Sequence, residues 1–109
     1  MIRFLDGPAQ GSSLSLQRVP YFLRVVIDPA GQVDALDQLE DTVRDGETAH
    51  VYHKVGDTGR VILCSRGKGC RSEWTAEYRL YDEQPSQDVL RDNVAWHTWA
   101  MERAEEAHG

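Results

Sequence analysis

The sequence predicts a single α+β domain in which a mainly antiparallel sheet of five to seven strands, or a small barrel, is covered by one C-terminal amphipathic helix. Three observations support this fold class. The chain has 109 residues, which is enough for one hydrophobic core. As far as residue 85, short apolar or alternating stretches are separated by Gly, Pro and Asp, as strands and turns are. From residue 86 to about residue 107 the apolar spacing becomes helical.

The first 17 residues predict a β-hairpin. Residues 1–5 form a short apolar run, and Leu14 and Leu16 alternate with serines within residues 12–17. The string DGPAQG at residues 6–11 lies between these two stretches. It predicts a tight turn, because Gly accepts positive φ and Pro fixes φ.

The middle of the chain predicts the rest of the sheet. Residues 21–27, with the sequence YFLRVVI, are the richest in β-forming side chains and are expected at the centre of the sheet. A β-turn at 28–31 leads into a short strand over 33–39. Further strands are predicted over 48–55, 60–65 and 73–81, with residues 56–59 as the hairpin turn between the first two.

The C-terminal segment predicts one uninterrupted helix. Ser86 is a suitable N-cap, and Asp88 in the first turn complements the helix dipole. No Gly or Pro interrupts the run that follows. Spacings of three and four place one apolar stripe on the sheet: Leu90, Val94, His97, Met101 and Ala104. Trp96, Trp99 and Ala100 widen this stripe.

The charges are segregated along a chain whose net charge is −6. Residues 60–81 carry five bases and two acids, whereas residues 34–59 and 82–109 each carry seven acids and two bases. A basic segment in an acidic protein steers a charged partner to one face. The predicted contact surface is Arg60, Arg66, Lys68 and Arg71, with Tyr52 as an exposed aromatic addition. The acidic residues within 34–47 are interpreted as a solvated face, with mimicry of DNA phosphates as the alternative.

The loop CSRGKGC at residues 64–70 has four interpretations, of which a hairpin turn is favoured, because Gly-Lys-Gly between strands is ordinary turn chemistry. Structural zinc sites usually use C-x₂₋₄-C pairs, whereas five residues separate Cys64 from Cys70 and no second pair exists. The remaining candidate ligands are His50, His53, His97 and His108, of which His53 would lie across the hairpin from Cys64.

The other two interpretations of this loop are a disulfide and an anion site. A Cys64–Cys70 disulfide suits a loop flanked by two strands, but not a reducing cytosol. Gly67 and Gly69 beside three bases would let a phosphate approach, but the spacing and the following helix of a P-loop are missing. A general affinity for nucleic-acid backbones remains, in which Trp74 and Tyr78 are either stacking platforms or, as favoured, core aromatics.

The sequence predicts neither catalytic activity nor a cofactor nor a metal. Cys64 or Cys70 with His53 and an Asp would supply a nucleophile, a base and an orienting group, but no catalytic motif surrounds them. His97, beside Trp96, is expected to pack rather than to act as a base. No apolar run approaches the roughly 20 residues that cross a bilayer, and the first residues lack the pattern of a signal peptide. A cytoplasmic location without membrane contact is therefore the default expectation.

Three strings near the N-terminus carry a resemblance. FLDGPAQG at 4–11, LRVV at 23–26 and DALDQL at 34–39 together resemble a group of small proteins encoded by phages of actinobacteria. Those proteins also begin with a strand, a D-G-P-x-x-G turn and a second strand. The resemblance covers about the first 40 residues, with a looser similarity in the hairpin that follows. It implies no catalytic residues, and it implies a scaffold role for Gly7, Pro8 and Gly11.

The resemblance implies a phage-encoded accessory protein in the cytoplasm of the infected bacterium. The expected function is non-enzymatic binding to a host or defence protein through the basic hairpin at 60–71. One alternative is nucleic-acid binding through the same hairpin, although a net charge of −6 disfavours it. The other is a minor virion or assembly protein, which would form a symmetric oligomer through an apolar surface patch.

Overall fold

The computed structural model describes residues 1–16, 20–36, 41–62 and 71–108, and it describes side chains for 1–16, 20–36, 41–56 and 75–106. Its strands are β1 (Ile2–Phe4), β2 (Ser13–Leu14), β3 (Phe22–Ile27), β4 (Val33–Leu36), β5 (Thr48–Ile62) and β6 (Arg71–Leu80). Two helices follow, α1 (Gln87–Arg91) and α2 (Asn93–His108).

The six strands form one sheet in the order β2-β1-β6-β5-β3-β4. Every neighbouring pair is antiparallel except β1 and β6, which are parallel. The sheet curls until it is nearly a barrel, and the C-terminal helical region of about 20 residues packs on it. The predicted α+β class is confirmed, and so is the predicted N-terminal hairpin, which β1 and β2 form.

Two expectations about the sheet were wrong. β3 lies between β5 and β4, one strand in from the edge, while β5 and β6 occupy the centre. Residues 56–59 are not a turn, because β5 continues through them and only its register shifts, between Lys54 and Gly56. Val55 is the extra residue of this β-bulge, and glycine at 56 tolerates the local bend without ending the strand.

The sheet is buried on both faces. On the concave face Leu23, Val25 and Tyr52 pack with residues of β1 and β6. On the opposite face Phe22 and Val26 pack against the helices. Successive side chains of a strand point to opposite faces, so a strand covered on both sides is expected to be apolar along its whole length. β3 is apolar except at Arg24.

The DGPAQG turn closes the concave face over the hydroxyl of Tyr52. This hydroxyl accepts from the Ala9 amide at 2.9 Å and donates to the Asp6 carbonyl at 2.9 Å. The Asp6 carboxylate accepts from the Leu80 amide at 2.7 Å. Gly7 has φ 73°, and a Cβ there would lie 2.6 Å from the Tyr52 hydroxyl oxygen. Only glycine fits this position.

A buried arginine joins β3 to the helices. Arg24 is 0% exposed, and its guanidinium donates to the Leu90 carbonyl at 2.8 Å and to the Asp41 carbonyl at 2.7 Å. It also lies 5.7 Å from the centre of the Trp96 ring, within the range of a cation–π contact. Burial lowers the pKa of Arg24, and the charge of Asp41 opposes that change.

The helical region is interrupted at Asp92. This residue has extended backbone angles, φ −97° and ψ 114°, and its Oδ1 accepts from the amides of Val94 and Ala95. It therefore ends α1 and caps α2. Among the described residues, neither helix is long and apolar enough to span a lipid bilayer.

The interruption changes which residues of α2 face the sheet. Leu90 is buried, as expected, but Val94 is 77% exposed and Met101 is 65% exposed. Ala104 packs on the sheet as expected, together with Trp96, Trp99 and Ala100, which were expected to widen the stripe. The predicted apolar stripe was therefore wrong at Val94 and Met101, because an N-cap inside the run shifted the helical phase.

The DGPAQG turn generates a first prediction. We expect Gly7→Ala to lower the free energy of unfolding by about 3 kcal/mol, since the new Cβ meets Tyr52 and the backbone has positive φ. Gly11→Ala is the matched control, because Gly11 also has positive φ but has open space around it. It should cost only about 1 to 2 kcal/mol. Urea unfolding measures both, and equal losses would contradict the Tyr52 contact.

The buried guanidinium generates a second prediction. Arg24→Lys keeps the positive charge, but an ammonium group cannot reach both carbonyl oxygens in the planar geometry of a guanidinium. We expect a loss of about 3 kcal/mol in the free energy of unfolding. Arg44→Lys, at an exposed position, is the control and should change it by less than about 0.5 kcal/mol. A tolerated Arg24→Lys would show that the two carbonyl contacts add little.

Candidate contact surface on the β5–β6 arm

β5 and β6 continue beyond the rest of the sheet as a two-stranded arm. β3 pairs with β5 only as far as His53, and β1 pairs with β6 no further out than Ala76. Past these limits the β5–β6 ladder runs on through five more pairs, from Thr58 with Thr75 to Ile62 with Arg71. We call these two strand ends and their connection, residues 58–75, the arm. At about 3.3 Å per residue, its described part projects about 17 Å.

The arm concentrates positive charge. The arm contains four of the twelve bases and one of the eighteen acids, Glu73, so it carries +3 and the rest of the chain carries −9. The longest dimension of the molecule is 54 Å, and its Cα radius of gyration is 15.7 Å, against about 13 Å for a compact chain of this length. The molecule is therefore more elongated than a compact chain of this length, and its positive charge is concentrated in the arm.

The structure brings Arg60 and Arg71 together at the outer end of the arm. Arg60 is opposite Glu73 in the ladder, and Arg71 is opposite Ile62, so the two arginines occupy diagonal positions. Arg66 and Lys68 belong to the eight-residue connection between β5 and β6, which lies outside the described residues. By chain connectivity this connection joins Ile62 to Arg71, as the hairpin interpretation of the loop requires.

The expectation that Tyr52 is exposed was wrong. Tyr52 is 0% exposed and lies at the base of β5, ten residues before Ile62. Its ring packs edge-on against Phe4, with 4.8 Å between ring centres, and its hydroxyl holds the DGPAQG turn. Burial raises the pKa of this hydroxyl. The alternation along β5 indicated that Tyr52 and Val51 lie on opposite faces of the sheet. It did not indicate that both faces are covered.

Tyr78 is a core aromatic, as favoured, and not a stacking platform. It is 0% exposed, and its hydroxyl donates to the Pro20 carbonyl. The side chain of Trp74 lies outside the described residues. Val55 is an apolar side chain that the sequence did not single out. It is 45% exposed at the bulge where the arm leaves the sheet.

The proposed pairing of His53 with Cys64 was wrong. His53 is opposite Arg79 and Phe22, and its ring packs against Tyr81 at 5.3 Å between ring centres. Ile62 lies nine positions after His53 on β5, which corresponds to about 30 Å of strand. Cys64 belongs to the connection that lies outside the described residues, and the described residues contain no metal-binding cluster.

The acidic segment lines a cavity, and two of its carboxylates accept hydrogen bonds from nearby backbone amides. A cavity of about 310 Å³ is lined by residues of β4 and of 41–47. Asp34 accepts from the Ala35 amide at 2.8 Å, and Glu47 accepts from the Arg44 amide at 2.7 Å. These contacts fit the favoured interpretation of a solvated, locally folded face. Residues 37–40 of this segment lie outside the described residues.

No protein-family model, no curated protein and no solved structure matches the chain. The function is therefore inferred from the charge, the shape and the exposed surface of the protein.

His50 makes the stability of the sheet depend on pH. His50 is half-buried on β5, opposite Val25 of β3. This burial lowers its pKa below the usual value of about 6.5. The unfolded chain therefore binds a proton more readily than the folded one, and stability falls as the pH falls through about 6.5. We expect His50→Gln to lose less stability than the wild type between pH 7.5 and pH 5.5, as urea midpoints would show.

His108→Gln, at the last residue of α2, is the control for removing a histidine and should keep the wild-type pH dependence. Equal pH dependence in the wild type and His50→Gln would mean that His50 does not contribute.

Proposed function

We propose that the protein is a non-enzymatic, phage-encoded accessory protein that binds a host or defence protein through the arm in the cytoplasm of the infected bacterium. The observation that supports this function best is the arm itself. It carries +3 on a body of −9 and extends beyond the strands that flank its base.

The arm contributes little to the stability of the body. A two-stranded hairpin is only marginally stable in water without a third strand or a helix beside it. In the described residues, the ladder beyond Thr58 and Thr75 has no third strand. Contacts with a partner explain an extension of this kind better than packing in the hydrophobic core does.

The length of the arm separates its charge from the acidic body. Its described part projects about 17 Å, roughly two Debye lengths at physiological salt. A partner with an acidic surface therefore meets Arg60 and Arg71 while the repulsion from the body is largely screened. Charge of this kind raises the rate of encounter, and side chains buried at the contact then determine how long the complex lasts.

A protein partner fits this geometry better than a nucleic acid. Four bases neutralise few phosphates, and a body of −9 repels the rest of a long charged polymer. Nucleic-acid binding is the second candidate, because two-stranded β-ribbons enter DNA grooves in known protein classes. Its affinity would fall steeply with salt concentration, whereas a protein contact held by buried side chains would change less.

We expect the tagged protein to retain one bacterial protein in near-stoichiometric amount from a nuclease-treated lysate of the host. Reversal of Arg60, Arg66 and Arg71 to Glu should abolish this capture, because it changes the charge of the arm from +3 to −3. The captured protein is then purified, and its affinity for both variants is measured by calorimetry. The expected loss is at least about a hundredfold.

The matched control reverses three exposed arginines of the body, Arg3, Arg44 and Arg79, which gives the same change in net charge. This control should retain the partner. Loss of capture in both variants would point to net charge rather than to the arm. Capture that disappears with nuclease would favour the nucleic-acid function, and capture that survives reversal of the arm would overturn the proposal.

A further inference from the structure

Helix α2 has apolar side chains on two sides. Its inner side packs on the sheet through Trp96, Trp99, Ala100 and Ala104. Its outer side carries Val94 and Met101, which are 77% and 65% exposed. These are the two most exposed large apolar side chains among the described residues. A large apolar side chain that points into water from a well-packed helix indicates a contact surface when it has a neighbour on the same stripe.

The outer residues have the spacing of a helix–helix seam. Val94, Thr98, Met101 and Glu105 are all exposed and follow one another at intervals of four, three and four. This is the a/d repeat by which two helices pack side by side. The 16 residues of α2 span about 24 Å, enough for two full repeats along a partner helix.

The charges beside this seam select the direction of a partner helix. Glu102, Glu105 and Glu106 are exposed at the C-terminal end. Arg91 is exposed just before the N-terminal end, where its guanidinium donates to the Glu47 carbonyl at 2.7 Å. The carboxylate of Asp92 is already engaged with two amides of α2. Arg103, at the C-terminal end, is paired with Glu83 and Glu106. The C-terminal end of the seam therefore keeps a net negative charge, and the N-terminal end carries Arg91 beside Asp92.

We propose that the outer face of α2 is the interface of a homodimer, in which α2 of a second copy lies antiparallel on it. An antiparallel partner brings Val94 of one copy against Met101 of the other, twice, about a two-fold axis near Thr98. It also places Glu105 of one copy near Arg91 of the other and opposes the two helix dipoles. A parallel partner would set the two acidic ends side by side. The dimer uses no residue of the arm.

The size of this surface sets the expected affinity. A single helix pair about 24 Å long buries less than the roughly 800 Å² per partner of a standard stable interface. We therefore expect a dissociation constant of the order of ten to a few hundred micromolar, with dimers present mainly at high local concentration.

Sedimentation equilibrium of the full chain, from about 10 µM to about 1 mM, tests this interface. The wild type should follow a monomer–dimer equilibrium. The double variant Val94→Glu/Met101→Glu should remain monomeric over the whole range, with an unchanged circular dichroism spectrum, since both side chains are exposed. A wild type that is monomeric at every concentration, or a double variant that dimerises as the wild type does, would overturn the proposal.

The direction of the helices is tested by a charge exchange. Arg91→Glu and Glu105→Arg should each weaken the dimer at least about fivefold, and the two together should restore it, because the pair is exchanged across the axis. A combined variant that is weaker than either single variant would exclude the antiparallel arrangement. Dimerisation lost through Val94 and Met101 but insensitive to both charge changes would exclude it as well.

Discussion

The contact between the Arg24 guanidinium and the carbonyl oxygens of Leu90 and Asp41 determines how the helices lie on the sheet. A charged side chain in the middle of an apolar strand is costly to bury unless its donors are satisfied. The interruption at Asp92 supplies part of that satisfaction. Because α1 ends at Arg91, the Leu90 carbonyl lies in its last turn, where helical carbonyls have no partner within the helix. The end of α1 and the buried charge thus satisfy each other, and Trp96 covers the guanidinium from the start of α2.

The periodicity of the sequence predicted the strands and helices better than it predicted which groups contact their side chains. The alternation in β1 and β2, the apolar run of β3 and the change of period at Ser86 are local signals, and they gave the fold class correctly. The interior position of Arg24 was not predicted, because its partners are 66 and 17 residues away along the chain. The burial of Tyr52 has the same cause, since the turn that covers its hydroxyl lies more than 40 residues upstream.

The candidate surface was only partly predictable for a similar reason. The basic stretch could be located by counting charges, but its projection depends on where β3 and β1 end relative to β5 and β6. Glycines at 56 and 59 were interpreted as a turn, and the alternative that a long strand bends through them became clear only from the register. The capping of α2 by Asp92 could have been predicted from the sequence, because Asp is one of the preferred N-cap residues. The absence of Gly and Pro from the run obscured it.

The parallel pairing of β1 with β6 has a consequence for how the chain is made. Ile2 and Phe4 pair with Ala76 and Tyr78, and Asp6 binds Leu80, so the first strand has no place in the sheet until about three quarters of the chain has been synthesised. Contacts this distant in sequence slow folding. On the ribosome, the N-terminal hairpin leaves the exit tunnel long before its partner strand, and its apolar residues wait in water or with a chaperone. A nascent chain that stops before β6 therefore leaves the first strand without its parallel partner in the sheet.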